Sequence, residues 1–321
     1  MARQFTPQAK PGNRPRGLDK RRWPRDDAGE QSKNNGSQLL PAAPDHPASR
    51  SQVAAGALPD RLTLIAISCL AYIVAVALHE HLGHATACTL LGGHVKEFGA
   101  FYVTCGDAGL SLLDKRLVAL AGPFISLILG LVCFQILKTV AQPRSFYFLW
   151  LLGSLGLMSA SGYMLFSGVA GIGDLGTTGD GALQGVQPEW LWRAVLALLG
   201  GFCYFRVVRY MARRLEPRLN ATGHDRIHCA KRVTLISYLT GAALYLVIGL
   251  FNPHGAVILL TSALPASLGG TSGLVWFDSG LNAKGDAAGP GLYFSRSWRW
   301  VAIAFAVTLI YGAVFGPTLR S

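Results

Sequence analysis

Long apolar segments constrain the fold of this chain more than any other feature of its sequence. An α-helix needs about 20 apolar residues to cross the hydrocarbon core of a bilayer. Segments near that length occur at residues 62–91, 117–137, 146–170, 190–208, 233–251 and 298–315. Only 14% of the residues are charged, whereas soluble domains carry about 25%. The sequence therefore predicts an all-α, multi-pass protein embedded in a lipid bilayer.

Two intervening segments are less regular. Residues 254–277 are apolar but rich in Gly, Ser and Pro, so they could form a seventh span or a re-entrant piece surrounded by protein. We therefore expect six to seven transmembrane helices. Residues 92–114 are less apolar and include β-favouring side chains at 98–103, which predicts a short β-hairpin after the first span.

The first 60 residues differ in composition from the rest of the chain. They are rich in Pro, Gly, Asn, Gln, Lys and Arg and show no apolar periodicity, so they cannot bury enough surface to become ordered. No apolar segment follows Met1 closely, so no cleaved signal peptide is expected. We predict a disordered basic tail at residues 1–60 and a transmembrane domain at residues 61–317.

The net charge of +12 is interpreted as a topology signal. Basic residues flank the apolar segments, so we expect them to face lipid headgroups and predict no nucleic-acid partner. With seven crossings, 24 of the 29 Lys and Arg residues lie on one side. The five on the other side are Lys96, Lys115, Arg116, Arg193 and Arg320. The positive-inside rule then predicts a cytoplasmic N-terminus, and we expect a bacterial cytoplasmic membrane.

The cysteines show no recognisable pattern. They are Cys69, Cys88, Cys105, Cys133, Cys203 and Cys229. None forms a C-x-x-C pair and several lie within apolar segments, which is typical neither of a disulfide framework nor of a zinc ribbon. We predict that all of them are packing residues.

Ionisable side chains inside a predicted span are costly and indicate a functional site. His79, Glu80, His81 and His84 lie within the first apolar segment, and Glu80 is the only carboxylate inside such a segment. A polar helix end or histidines packed against their neighbours would explain one such residue better than four. Haem ligation by two of the histidines is a further alternative.

The histidine-rich string resembles the zinc-binding H-E-x-x-H helix of the site-2 protease family of intramembrane metalloproteases. The Ala-Gly-Pro sequence at residues 121–123 is similar to the helix that follows the hairpin in that family. Asp174, after a Gly-Ile-Gly sequence, lies where the family has an aspartate ligand on a later span. The motifs occur in the family's order over residues 62–175, which implies a site-2 protease-like core.

The resemblance implies a Zn²⁺ cofactor held by His79, His84 and Asp174, with Glu80 as the catalytic base. It also implies a membrane-protein substrate whose spanning segment is partly unwound. Zinc hydrolysis requires three protein ligands and one open position for water, whose pKa the ion lowers. We assign Gly122 and Pro123 packing roles, because small residues let transmembrane helices approach closely.

The histidine spacing departs from the motif. His79 and His84 are five residues apart, which separates them by about 140° on a regular α-helix. In one hypothesis a π-bulge absorbs the inserted residue and returns both histidines to one face. In the other the helix is regular, Glu80 and His84 ligate the metal, and His81 transfers the proton. We favour the first because it retains both roles of the family motif.

The third ligand has alternatives. Asp174 follows Gly-Ile-Gly and could be a turn or cap residue. His254, which follows an Asn-Pro sequence, is a competing third ligand, and Asp180 is a further candidate.

We therefore expect a zinc-dependent membrane metalloendopeptidase that hydrolyses peptide bonds in or near membrane-spanning segments. The alternative is a non-catalytic membrane protein, either a degenerate relative or a haem or small-solute carrier. The family holds its zinc nearer the cytoplasm, whereas the charge distribution places the ends of the first and third spans on the non-cytoplasmic side. These two expectations conflict, and the sequence defines neither the substrate nor the oligomeric state.

Overall fold

The computed structural model describes residues 58–106, 108–219, 223–258, 260, 262, 265–281 and 291–320. The disordered tail predicted for residues 1–60 lies outside these ranges except for its last three residues. In the described part of the chain, six helices are long and apolar enough to cross a membrane by length and composition. This finding supports the predicted multi-pass, mainly helical architecture.

The helices are numbered in chain order. They are α1 (Arg61–Ala77), α2 (Thr86–Leu90), α3 (Leu112–Ile136), α4 (Pro143–Ala170), α5 (Glu189–Leu215), α6 (Gly223–Gly249), α7 (Ala256–Ile258) and α8 (Trp298–Phe315). A π-helix, Leu78–Ala85, joins α1 to α2, so the three elements form one span. Shorter 3₁₀ or π turns occur at Glu216–Arg218, Pro265–Gly269, Ser272–Leu274 and Phe277–Gly280.

Local sequence explains how these helices begin. Asp60 caps α1 by accepting a hydrogen bond from the Thr63 amide at 2.9 Å. Ser111 and Asp114 form a capping box at the start of α3, and α4 begins with Pro143 at its first turn. All three arrangements satisfy or avoid the unpaired amides of a first helical turn.

Two helices are longer than the predicted spans. Helix α5 continues past residue 208 to Leu215, and α6 begins at Gly223, ten residues before the predicted start at 233. Both extensions are rich in charged residues, among them Arg213 and Arg214. Such residues interrupt the apolar pattern without ending the helix, so apolar length alone underestimates both helices.

The predicted hairpin is present within residues 92–114, with its turn where the β-favouring side chains lie. Strand β1 (His94–Phe98) pairs antiparallel with β2 (Val103–Gly106), and β1 also pairs with β3 (Leu319–Arg320). Residues 98–103 form mostly the turn, where the Gly99 amide donates to the Tyr102 carbonyl at 2.9 Å. The third strand comes from the far end of the sequence and was not predicted.

Buried polar groups link helices at the centre of the bundle. The Ser237 hydroxyl of α6 lies 2.7 Å from the Ser68 hydroxyl of α1 and 2.7 Å from the Tyr147 hydroxyl of α4. Hydrogen bonds of this kind hold transmembrane helices together where apolar packing alone gives little preference over lipid.

The bundle has two distinct ends. At the hairpin end, the three-stranded sheet meets the C-terminus of α8, where the Tyr311 hydroxyl donates to the Ala100 carbonyl at 2.8 Å. At the tail end, the start of α1 meets the segment before α8, where the Asp60 amide donates to the Phe294 carbonyl at 2.9 Å. Arg218, after α5, donates to the Ala141 carbonyl at 3.0 Å at the same end.

The path of residues 254–277 follows from their surroundings. Among the described residues of this segment there is no helix long enough to span a membrane. Helix α6 ends at the hairpin end, where Asn252 donates to Thr318 at 3.1 Å, and the chain is back at the tail end by Phe294. The Tyr204 hydroxyl donates to the Gly270 carbonyl at 2.7 Å. The described residues of 254–277 therefore lie between the two ends with an irregular backbone, part of which neighbouring helices satisfy.

The prediction that all six cysteines are packing residues is wrong for two of them. Cys88 of α2 and Cys105 of β2 form a disulfide, with Cα atoms 5.9 Å apart. The hairpin folds back over α2 and brings the two residues together across 17 positions of sequence. No sequence motif indicates such a pairing. The other four cysteines are free.

Candidate metal centre

The candidate site is built on the π-helix. A π-helix hydrogen-bonds over five residues and so places residues five apart near one another. The rings of His79 and His84 accordingly lie 5.0 Å apart between centroids, and both residues are buried. The irregularity covers all eight residues of Leu78–Ala85, more than the single bulge that was predicted. Its effect on the two histidines is the one required by the first hypothesis.

Helix α3 orients both imidazoles. Nδ1 of His84 lies 2.8 Å from the Val118 carbonyl oxygen, which can only accept, so this nitrogen carries a proton. Nδ1 of His79 lies 2.9 Å from the Ser126 hydroxyl. The Nε2 atoms therefore remain for other partners. Metal-binding histidines are commonly held through the second ring nitrogen in this way.

Asp174 approaches the two Nε2 atoms from beyond the end of α4. Its Oδ2 atom lies 3.1 Å from His79 and 3.5 Å from His84. Gly171 caps the C-terminus of α4 with φ +78°, and Gly173 has φ +87°. Both values lie in the left-handed region that glycine adopts without strain. These two glycines turn the chain so that Asp174 faces the histidines.

The surroundings of Asp174 favour its charged form. Burial alone would raise the pKa of the carboxyl. The His84 and His79 imidazoles outweigh burial through their charge and hydrogen bonds, and hold the pKa of Asp174 below its ordinary value. An ionised carboxylate is the form that binds a metal ion.

The three side chains fit a metal ion. Their ligand atoms all lie within 4.8 Å of one another. Zinc bonds to nitrogen and oxygen are about 2.0–2.1 Å long, so neighbouring ligand atoms in a tetrahedral site are about 3.3 Å apart. The distances from Asp174 to His79 and His84, 3.1 and 3.5 Å, lie close to that spacing. Two imidazoles and one carboxylate suit zinc and several other divalent transition metals.

Close helix packing leaves room for the two imidazoles. A Cβ atom on Gly122 of α3 would lie 2.3 Å from Nε2 of His84 and 2.7 Å from Nε2 of His79. A Cβ atom on Gly83 would lie 2.7 Å from the Cα atom of Gly122. Gly122 was predicted to have a packing role. It has that role, and it also forms a wall of the candidate site.

Glu80 lies beside this cluster and is buried. Together with His84, Asp174 and Tyr163, it lines a cavity of about 1000 Å³, which is at the upper end of the range for ligand pockets. A second cavity of about 40 Å³ contacts His79 and Glu80 and is large enough for a water molecule. The ring of Tyr163 also stacks on His79, with centroids 4.8 Å apart.

The alternative ligands lie elsewhere. His81 turns away from the cluster, donating to the Gly99 carbonyl at 3.1 Å and packing against Phe315. His254 is half-exposed and lies 3.3 Å from Glu97 at the sheet. Asp180 is exposed at the wall of the large cavity. Among the described residues, only His79, His84 and Asp174 meet as a group of potential ligands.

The fold and this cluster define a helical membrane-protein architecture with a potential metal-binding site. No protein-family model, no curated protein and no solved structure was found to match the chain. The resemblance to the site-2 protease family therefore depends on the sequence motifs alone.

Several supporting residues could not be identified from sequence. Val118 and Ser126 orient the histidines, and Tyr163 stacks on one of them. Every residue has a backbone carbonyl, so the sequence cannot show that the Val118 carbonyl is the acceptor. Ser126 lies four residues after Gly122 on α3 and so faces the same side of that helix. This helical spacing was the one sequence feature that could have indicated a role for Ser126 at the site.

Proposed function

We propose that this protein is an intramembrane zinc metalloprotease that hydrolyses peptide bonds in or near membrane-spanning segments. The observation that carries the proposal is the convergence of His79, His84 and Asp174 within 4.8 Å, with Glu80 beside them on a large cavity. The three ligand types and their supporting hydrogen bonds match the requirements of a catalytic zinc site. The order of motifs in the sequence supports the same interpretation.

Zinc would be held by Nε2 of His79, Nε2 of His84 and a carboxylate oxygen of Asp174. Bound there, it would supply a Lewis acid that polarises a peptide carbonyl and acidifies water. His84 keeps its Nδ1 proton on the Val118 carbonyl, so Nε2 is the ring nitrogen that would lose its proton to bind the metal.

Glu80 has the chemistry of a general base. Its carboxylate accepts a proton from the attacking water and passes it to the leaving amine, which balances the hydrolysis of one peptide bond. The residue is buried and lines both the large cavity and the small cavity beside His79, so one carboxylate would face a substrate and a water molecule. His81 does not serve here, because its ring faces Gly99 and Phe315.

The cavity suits an extended peptide segment. Its walls include apolar side chains such as Phe101, Leu155 and Phe166, together with polar groups of the segment around Thr271. An apolar wall with a few polar groups is typical of a binding site for an apolar ligand. A membrane-spanning segment that is locally unwound has this chemistry.

Metal content tests the proposal directly. The protein is purified in detergent without chelators, and metals are measured per chain by mass spectrometry. We expect about one zinc per chain, lost in Asp174→Ala and retained in Asp180→Ala, a matched control outside the cluster. A haem absorbance band would instead support a carrier. Absence of any bound metal from the parent protein would contradict the protease and support a degenerate relative.

A further inference from the structure

The candidate site lies toward the hairpin end of the bundle. His79 and His84 occupy the later half of the first span, which runs from Arg61 to Leu90, and Asp174 follows the C-terminus of α4. The large cavity is lined at the same end by exposed residues of the sheet and the loop after α4, including Lys96, Thr104 and Asp180. The cavity therefore opens at the hairpin end.

Basic residues are concentrated at the tail end. The helix ends and loops there carry Arg144, Arg209, Arg213, Arg214, Arg218 and Arg232. Arg144 and Arg218 bind backbone carbonyls at that end, which confirms their position in the fold. In the described part of the chain, the hairpin end carries only five Lys and Arg residues, which are Lys96, Lys115, Arg116, Arg193 and Arg320. By the positive-inside rule, the tail end is cytoplasmic.

The disulfide gives an independent indication of the same orientation. Cys88 and Cys105 are joined at the hairpin end, and Cys105 lines the large cavity. Disulfides persist in oxidising compartments and are rare in the cytosol, where thiols are kept reduced. The disulfide therefore indicates that the hairpin end is non-cytoplasmic, in agreement with the basic residues at the tail end.

From these two observations we infer that the candidate site opens to the non-cytoplasmic side of the membrane. Its substrates would be membrane segments cleaved in their non-cytoplasmic part. The family resemblance implies the opposite, since it places the zinc nearer the cytoplasm. The inferred orientation does not depend on the proposed function. The inferred substrate class does rest on the proposed function.

Site-directed labelling tests the orientation. The four free cysteines are replaced by alanine, the disulfide is kept, and Gln184→Cys or Ser295→Cys is added. Gln184 is exposed at the hairpin end and Ser295 at the tail end. Intact spheroplasts are treated with a membrane-impermeant maleimide, and labelling is compared with that of detergent-permeabilised membranes. Asp180→Cys serves as a second probe of the hairpin end.

We expect Gln184→Cys and Asp180→Cys to be labelled in intact spheroplasts, and Ser295→Cys only after permeabilisation. Labelling of Ser295→Cys alone, or of both ends, in intact spheroplasts would overturn the inference. This result does not depend on zinc or on cleavage, so failure of the proposed function is detected separately.

A chelator tests the opening of the site itself. EDTA does not cross the membrane, so it should remove zinc from a site that faces outward. We expect zinc to be lost from protein in EDTA-treated spheroplasts and retained in inside-out vesicles given the same treatment. The reverse pattern would place the opening on the cytoplasmic side and contradict the inference.

Discussion

Gly122 of α3 lies so close to His84 that a methyl group on it would be 2.3 Å from the imidazole Nε2 atom. Gly122→Ala should therefore displace both histidines and lower zinc affinity by about tenfold or more. Gly201→Ala is the matched control, because its nearest neighbour would be 3.9 Å away. Metal titration of the purified variants checks this. Equal affinity in the two variants would show that the imidazoles do not hold the metal at this position.

Glu80→Gln should separate binding from catalysis. The amide preserves the shape of the side chain but cannot accept a proton from water, so zinc should be retained and cleavage reduced by about 10²–10⁴-fold. Asp225→Asn is the control and should retain both, because Asp225 is exposed on α6 and lines neither cavity. The readouts are zinc per chain and cleavage of reporter proteins with a transmembrane segment. If Glu80→Gln loses the metal, Glu80 is a ligand and the proposed role as base fails.

Deletion of Leu82 should preserve the metal site. Its side chain is 49% exposed, so its removal sacrifices little packing. The deletion places His79 and His84 four residues apart, on one face of a regular α-helix. We expect zinc to be retained, measured as metal per chain. Loss of zinc from a folded deletion variant would mean that the π-helix has a role beyond correcting the spacing.

His81→Ala should reduce stability without removing metal. His81 hydrogen-bonds to Gly99 and lies 4.4 Å from the Phe315 ring. We expect a loss of about 1 kcal/mol or more, because a hydrogen bond and buried contact area are removed. A lower melting temperature with unchanged zinc is the predicted result. Loss of cleavage at unchanged stability would instead support His81 as the proton-transfer group.

Replacement of Cys88 and Cys105 by serine should destabilise the hairpin. The disulfide closes a loop across 17 positions, for which a stabilisation of about 2–4 kcal/mol is typical. A lower melting temperature than that of Cys69→Ser, a control at a free cysteine, would confirm it. If the double serine variant has the same melting temperature as Cys69→Ser, the sulfurs of Cys88 and Cys105 are not bonded in the native protein.

Contacts of the C-terminal strand should weaken in acid. Burial raises the pKa of Glu97, but hydrogen bonds from His254 and Tyr102 and the charge of Arg320 outweigh it and hold the pKa below its ordinary value of 4.5. A lowered native pKa stabilises the fold above that ordinary value, and the contribution is lost as pH falls through the native pKa. Amide-exchange protection of Leu319–Arg320 should therefore drop from about pH 5 to pH 3.

Glu97→Gln is the control for that experiment. An uncharged amide has no proton to gain, so protection of the strand should be lower throughout and vary little with pH. A parallel acid response in the variant and the parent would assign the effect to other groups.

The sequence by itself determined the features that depend on composition and local spacing. Apolar length predicted the spans, because a helix must match the thickness of the bilayer. The string from His79 to His84 indicated a site, because ionisable groups are costly inside a span. The five-residue spacing also allowed two ligand sets, and nothing local could choose between them, because a π-helix and a regular α-helix are compatible with the same residues.

Only the tertiary structure decided which groups meet. Packing of the π-helix against Gly122 and Val118 brings His84 beside His79, and the turn after α4 brings in Asp174 from 95 residues away along the chain. The Cys88–Cys105 disulfide and the pairing of β3 with β1 are likewise contacts between distant segments. Such contacts depend on the path of the whole chain, and for that reason residue spacing alone could not reveal them.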